Sequence, residues 1–234
     1  WVPDSVFRVH VLQINDWTMC CALFDSDYSH VDRFIIQSRP HRDWLWTRAG
    51  CPKDQERAVI FPNGVWTQRY PPSPVRIPHR LISCSSPDRG LHILLHLWPE
   101  IRQAVPDASL HIFYEVKKWI QGSQHIINEI GQRARYIGDR LVRLDGHGVH
   151  LRNAVPPMTL ATEMAKSDFY VFPCFTISFT EGFSVSTLEA CAAGTVPIIT
   201  DMDALGEVYK DSGAVIVPIG NRRTAWIETY RDRL

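Results

Sequence analysis

Residues 181–200 read EGFSVSTLEACAAGTVPIIT, and this stretch decides the fold. A glycine closes a loop at its start, a helix of small residues follows and ends at Gly194, and VPIIT then begins a buried strand. The unpaired N–H groups of the first helical turn, from Phe183 to Val185, form a site for a diphosphate. The spacing predicts that Glu181 lies in the loop and that Glu189 lies two turns into the helix, on the same face.

Two carboxylates in this arrangement suit a sugar nucleotide. Glu189 can accept hydrogen bonds from the vicinal hydroxyls of a ribose, while Glu181 can reach the sugar. The residues predicted to face the diphosphate are Gly182, Phe183, Ser184 and Val185. The spacing alone would equally fit two unrelated glutamates on a surface helix, but EGF, LEA and AAGxxP in register argue against that alternative.

From residue 81 onward, short apolar runs alternate with helical segments, a pattern typical of a parallel sheet with helices on both faces. The predicted strands are LISCS (81–85), LHIFY (110–114), LVRLD (141–145), DFYVFP (168–173), VPIIT (196–200) and AVIVP (214–218). The predicted helices cover 91–101, 124–138, 157–166 and 224–233. We therefore predict an α/β, Rossmann-like domain over residues 71–234.

Residues 1–70 carry less of this pattern. They include the apolar run 31–38, a tryptophan-bearing helix candidate around 41–48, and AVIFPNGV (58–65), whose Asn-Gly pair indicates a turn. The proline-rich RYPPSPVRIP then indicates a connector between domains.

These patterns together resemble the family 4 retaining glycosyltransferases, which have the two-Rossmann-domain GT-B architecture. The resemblance is carried by the E-x7-E signature at Glu181 and Glu189, by the small residues that follow, and by the turn at 61–65. It implies that 71–234 is the donor-binding domain and that 1–70 is a truncated acceptor-side segment with its linker. It also implies retaining, metal-independent transfer, without a cofactor, from a nucleoside-diphosphate sugar to a glycan, lipid or small-molecule acceptor.

The segment beginning at Ser83 resembles the start of the second domain in a subset of these enzymes. There a basic residue before a glycine, here Arg89, can contact the donor diphosphate with two N–H groups, although a helix-terminal arginine in surface pairing is the alternative. Ser85 and Ser86 stand where many relatives carry a second cation, so the clamp is weaker or is completed elsewhere. The resemblance makes Arg89 and Glu181 the catalytic candidates.

DGHGVH (145–150) resembles the loop that lies near the nucleobase in this family, with Gly148 and Val149 offering backbone groups. Asp201-Met202-Asp203 resembles the DxD metal motif of another class of glycosyltransferase. Because it follows the strand after E-x7-E, where the family has a loop, we predict no metal ligand there.

The composition of the chain argues against some classes of binding partner. The chain has 25 basic and 25 acidic residues among 234, which disfavours nucleic acid as a partner. No apolar run approaches the length of a membrane span, and the six cysteines have no metal-ligand spacing, so they are predicted to be reduced. We expect a cytoplasmic protein, with peripheral membrane association left open.

The short amino-terminal region motivates a second hypothesis: a non-catalytic half that holds the nucleotide sugar until a partner chain or a missing domain completes the cleft. A GT-B-like epimerase or phosphorylase is a weaker third reading. The donor base, the sugar, the acceptor and the oligomeric state stay open.

Overall fold

The computed structural model describes residues 6–13, 29–48, 55–71, 75–176 and 179–219. The helix predicted over 224–233 and three of the cysteines, at 20, 21 and 51, lie outside these residues. Among the described residues, Cys84, Cys174 and Cys191 are free thiols. Among the described helices, none combines the length and the apolar character needed to cross a bilayer.

The first sheet is small and parallel. It contains β1 (Val9–Leu12), β2 (Arg33–Ile36) and β3 (Ala58–Ile60) in that order, with α1 (Arg39–Arg48) connecting the second and third strands. Phe34, Ile36 and Leu45 form its buried core. The division of the chain at residue 70 stays a prediction.

The second sheet has six parallel strands in the order β6-β5-β4-β7-β8-β9. The strands are β4 (Ile77–Ser83), β5 (Ser109–Ile112), β6 (Val149–Leu151), β7 (Ser167–Phe172), β8 (Val196–Thr200) and β9 (Val215–Val217). The helices are α2 (Leu91–Ala104), α3 (Val116–Ser123), α4 (Glu129–Arg143), α5 (Pro157–Ala165), α6 (Val185–Ala192) and α7 (Leu205–Tyr209). Residues of α2 and α4 pack with Leu81 and Leu110, and residues of α5 and α6 pack with Ile82 and Tyr170. The predicted α/β fold is confirmed.

The strand order creates a crevice. The chain builds the sheet outward from β4 to β6, returns, and builds outward from β7 to β9 on the other side. The strand order therefore reverses between β4 and β7, where the connecting segments diverge at the carboxyl edge. The loops that follow these two strands contain most of the predicted site residues.

One predicted strand is wrong. LVRLD (141–145) continues α4 instead of forming a strand, and the strand comes later, as β6. Ile137, Leu141 and Leu144 share the helical period, and all three pack against the core under α2. The helix also begins later than predicted because the Asn128 side chain accepts hydrogen bonds from the backbone N–H groups of Ile130 and Gly131.

A proline inside α2 is compensated by tertiary structure. Pro99 has no N–H to donate to the carbonyl of Leu95, four residues earlier. Arg140 of α4 instead donates to that carbonyl, at 2.9 Å from Nη2 and 3.3 Å from Nε. The break in the hydrogen-bond ladder thus becomes a contact between the two helices.

Candidate functional site

The loop before α6 has a constrained backbone. Ser184, at the amino end of the helix, has φ = 65°, a left-handed conformation that is uncommon outside glycine. Its side chain lies 2.8 Å from the Thr187 hydroxyl, and its carbonyl accepts a 2.6 Å hydrogen bond from Tyr209. Phe183 is buried and its ring packs near that of Tyr209. Only the backbone of Phe183 is therefore available to a ligand.

Arg89 and Glu181 form a salt bridge across the crevice. Glu181 is only 4% exposed, whereas the side chain of Arg89 is 39% exposed. Burial raises the pKa of the Glu181 carboxyl, and the neighbouring guanidinium offsets part of that shift. The pair joins the loop after β4 to the loop before α6. The structure thus brings together the two residues that the sequence analysis assigned to one site.

Gly90 allows these loops to meet. Its φ is +132°, and a Cβ at this position would lie 2.1 Å from the carbonyl oxygen of Pro173, in the loop after β7. No L side chain can be accommodated without moving one of the two loops. The glycine after Arg89 therefore sets the distance between the basic and the acidic sides of the crevice.

Asp203 holds the loop that carries Glu181. Its Oδ2 accepts hydrogen bonds from the backbone N–H groups of Thr180 at 2.8 Å and of Glu181 at 3.1 Å. Asp201 accepts from the N–H of Ile219 at 2.7 Å. Both carboxylates of the DxD-like tripeptide therefore accept hydrogen bonds from the backbone of neighbouring loops.

Glu189 lies on α6 and forms a 3.4 Å ion pair with Arg69, a residue of the segment between the two sheets. Both side chains are about one quarter exposed or less, and burial raises the pKa of Glu189, with Arg69 opposing the shift. The Nε of Arg69 is buried without a hydrogen-bond partner among the described residues. Sequence analysis missed Arg69; the available signal was a basic residue shortly after the Asn-Gly turn.

Hydroxyl groups join the end of β4 to the first turn of α6. Ser85 Oγ lies 2.9 Å from the Tyr170 hydroxyl, which in turn lies 2.8 Å from Ser186 Oγ. Ser86 donates to the Asp88 side chain. The two predicted serines are thus close to the other site residues, but their hydroxyls already have protein partners.

The two sheets are in contact at this site. Ser38 Oγ, after β2, donates a 2.7 Å hydrogen bond to the carbonyl of Gly182, and Trp44 stacks on Phe179 with ring centroids 5.4 Å apart. The carbonyl of Gly182 therefore faces the first sheet. Val185 begins α6 with a half-exposed side chain.

Gly148 and Val149 lie elsewhere. They enter β6 at its amino end, and the carbonyl of Gly148 accepts from the N–H of Leu110 at 2.8 Å. The crevice is at the opposite, carboxyl edge of the sheet. The segment that follows β6, residues 152–155, reaches that edge, and Asn153 in it has φ = 58°.

Comparisons with known proteins identify the family and the fold. The family described as glycosyl transferases group 1 matches residues 80–232. A putative glycosyltransferase, ORF330 of Acidianus filamentous virus 2, is 38% identical over 84 residues, which are 33% of this chain and 24% of the viral protein. This chain therefore corresponds to a minor part of that relative.

Two solved structures share the fold. Anabaena HepE, in complex with UDP and glucose, has a TM-score of 0.66 at 14% identity, covering 95% of this chain and 62% of its own. The GtfA/B complex has a TM-score of 0.60 at 16% identity, covering 98% of this chain and 46% of the matched chain. The match spans 46% of the chain in the GtfA/B complex and 62% of HepE, less than two thirds of either. With a family match over more than half of its length and the parallel-sheet architecture that the GT-B fold requires, the chain belongs to the glycosyl transferases group 1 family.

Proposed function

We propose that this chain provides the donor-binding part of a retaining glycosyltransferase that uses a nucleoside-diphosphate sugar. The observation that carries the proposal is the Arg89–Glu181 pair beside the first turn of α6. A guanidinium, a buried carboxylate and the first-turn N–H groups of α6 meet in one crevice, a combination that suits a diphosphate linked to a sugar.

Arg89 is proposed to change partners when the donor binds. Without a ligand, its charge is offset by Glu181. Because more than a third of its side chain is exposed, the guanidinium can present further N–H groups to the diphosphate. It then stabilises the negative charge that grows on the leaving nucleotide, while Glu181 accepts hydrogen bonds from sugar hydroxyls.

Glu189 and Arg69 are proposed to hold the ribose side of the donor. Their contact uses one guanidinium nitrogen and one carboxylate oxygen, so the other oxygen of Glu189 is available to ribose hydroxyls. Arg69 also favours the ionised form of Glu189 against its burial. In this position Arg69 supplies the second cation that is missing at Ser85 and Ser86.

The proposed chemistry needs positioning and charge stabilisation. The bond between the anomeric carbon and the phosphate oxygen breaks, and the acceptor oxygen forms a bond to that carbon on the same face of the sugar. The departing phosphate oxygen takes the proton of the acceptor hydroxyl. Arg89 and the helix N–H groups stabilise the diphosphate throughout, and we propose no metal or other cofactor.

A second candidate is a donor-holding chain that another polypeptide completes. On β1 and β3, Val9, Val11 and Val59 are each more than 40% exposed. In a parallel sheet these side chains would normally be covered. The similarity to a chain of the GtfA/B complex also favours this candidate.

Isothermal titration calorimetry with UDP, GDP, ADP, CDP and TDP, and with their common sugars, tests the proposal, starting with UDP-glucose. Glu189→Gln should weaken binding of the preferred nucleotide by roughly 2 kcal/mol, about thirtyfold, because a charged acceptor is lost. Glu100→Gln, which changes an exposed carboxylate on α2, is the matched control.

Equal affinity of the wild type and Glu189→Gln would remove the role assigned to Glu189. Turnover that appears only after a partner chain is added would favour the second candidate.

A further inference from the structure

A second cavity, whose wall is apolar over the larger part of its surface and carries a group of polar side chains, lies on a face of the six-stranded sheet, beside α5. Its volume is about 530 Å³, and its polar lining residues are Arg80, His111, Arg152, Thr159 and Glu163. None of the residues proposed to bind the diphosphate, the sugar or the ribose lines it. The proposed donor site therefore leaves this cavity without a role.

The strand register places two arginines and two histidines on one face. Ile82, His111 and His150 are aligned on adjacent parallel strands. Arg80 lies two residues before Ile82 and Arg152 two residues after His150, so their side chains point to the same side. The helices α2 and α4 cover the opposite face. Where a parallel sheet usually has apolar residues, this face has two arginines and two histidines.

Hydrogen bonds determine the tautomer of the His111 imidazole. Its Nδ1 accepts from Arg152 Nε at 3.2 Å and lies 3.4 Å from Arg80 Nη2. A nitrogen that faces two guanidinium groups must carry the lone pair, so the ring proton is on Nε2. Burial, followed by the charge of Arg80, lowers the pKa of His111 to about 4. The imidazole is therefore a neutral hydrogen-bond donor.

The cavity has more cationic donors than anionic acceptors. Glu163 is shared between Arg80 and Lys166. No carboxylate of the described residues forms an ion pair with Arg152. Arg80 has a side chain only 4% exposed, and its Nε has no hydrogen-bond partner in the described part of the chain. A buried donor in this state is stabilised by an acceptor supplied from outside.

We propose that this cavity binds the phosphate group of a small phosphate monoester. Arg152 and Arg80 hold the phosphate, since guanidinium groups match its geometry and charge. The apolar part of the wall, formed by Ile77, Phe113 and Val155, takes the organic part of the ligand. The volume is within the range of pockets that hold whole small molecules, and it exceeds the need of a bare ion.

The test is an NMR titration of the His111 ring protons in the full 234-residue chain. Inorganic phosphate and glucose 6-phosphate are added separately at constant ionic strength. Saturable shifts are expected for both, with the ester binding at least fivefold more tightly. A bound anion should also raise the pKa of His111 above about 4, because it offsets the neighbouring cations.

Arg152→Gln should weaken binding of the ester at least tenfold. Arg143→Gln, the same charge change at an exposed position on α4, should leave it unchanged. Unsaturable shifts, or equal affinities in the wild type and Arg152→Gln, would overturn the proposal. Equal affinity for phosphate and ester would contradict the role of the apolar wall. Competition between UDP and the ester would show that the cavity belongs to the donor site, which also overturns the proposal.

Discussion

The Gly90→Ala substitution tests whether one glycine sets the width of the crevice. In the structure, an added Cβ would lie 2.1 Å from the carbonyl oxygen of Pro173. Ordinary contacts begin near 3.4 Å, so the loops after β4 and β7 would have to separate by roughly 1 Å. Arg89, the preceding residue, would move away from Glu181 with its loop.

Two contributions determine the size of the effect. A positive φ in a residue with a side chain costs about 1–2 kcal/mol. Displacing packed backbone adds about 1–3 kcal/mol. Gly146→Ala is the comparison, because Gly146 also has a positive φ, +74°, but has no atom within 4 Å of the added Cβ. At +132°, Gly90 lies further from the left-handed region that other residues tolerate, so its backbone cost is at least as large. Gly90→Ala should therefore be less stable than Gly146→Ala by about 1–3 kcal/mol.

Equilibrium urea unfolding, followed by tryptophan fluorescence, measures this difference, and calorimetry with the preferred nucleotide measures its effect on the site. We expect Gly90→Ala to lose more than tenfold in nucleotide affinity and Gly146→Ala to bind like the wild type. Equal unfolding free energies for the two variants would refute the argument that Gly90 is required by close approach. Full nucleotide affinity in Gly90→Ala would show that the position of Arg89 does not depend on this contact.

Three further predictions concern other contacts. Arg69→Gln should weaken nucleotide binding about tenfold by calorimetry, since it removes the cation beside Glu189, while Arg143→Gln should not. Ser38→Ala should lower the unfolding free energy by about 1 kcal/mol, because it removes the buried hydrogen bond to Gly182; an unchanged urea midpoint would contradict this. Burial, with Arg133 nearby, lowers the pKa of His92 to about 3, so its stabilising effect is complete above pH 6.5 and is lost as the pH falls toward 3. Wild type should lose about 2 kcal/mol from this group between pH 7.5 and 5, and His92→Gln should show a flatter profile; parallel profiles would rule out His92 as the cause.

Local sequence signals were sufficient for most of the fold. The alternation of apolar runs with helical segments predicted the parallel sheet, because strand and helix periods are properties of neighbouring residues. The same signals failed at 141–145, where an apolar run continues α4. Periodicity alone does not distinguish such a run from a buried strand.

The edge of the sheet at which each loop lies could be assigned only from the strand order in the structure. Gly148 directly precedes β6 and Val149 begins it, so both lie at the amino edge of the sheet, and the chain reaches the opposite, carboxyl edge only at 152–155. A match to a short loop pattern carries no information about which edge the loop occupies. The edge is decided by the direction of the strand that follows.

The sequence by itself determined the fold class and the motif from Glu181 to Glu189, because turn chemistry and helical spacing act over a few residues. Only the tertiary structure decided what those carboxylates contact. Arg89 is 92 residues from Glu181 along the chain, and Arg69 is 120 residues from Glu189. Such pairs form because β4 and β7 are adjacent at the switch point and because the segment between the sheets crosses the same crevice. No local pattern encodes these distances, since they result from packing of the whole sheet.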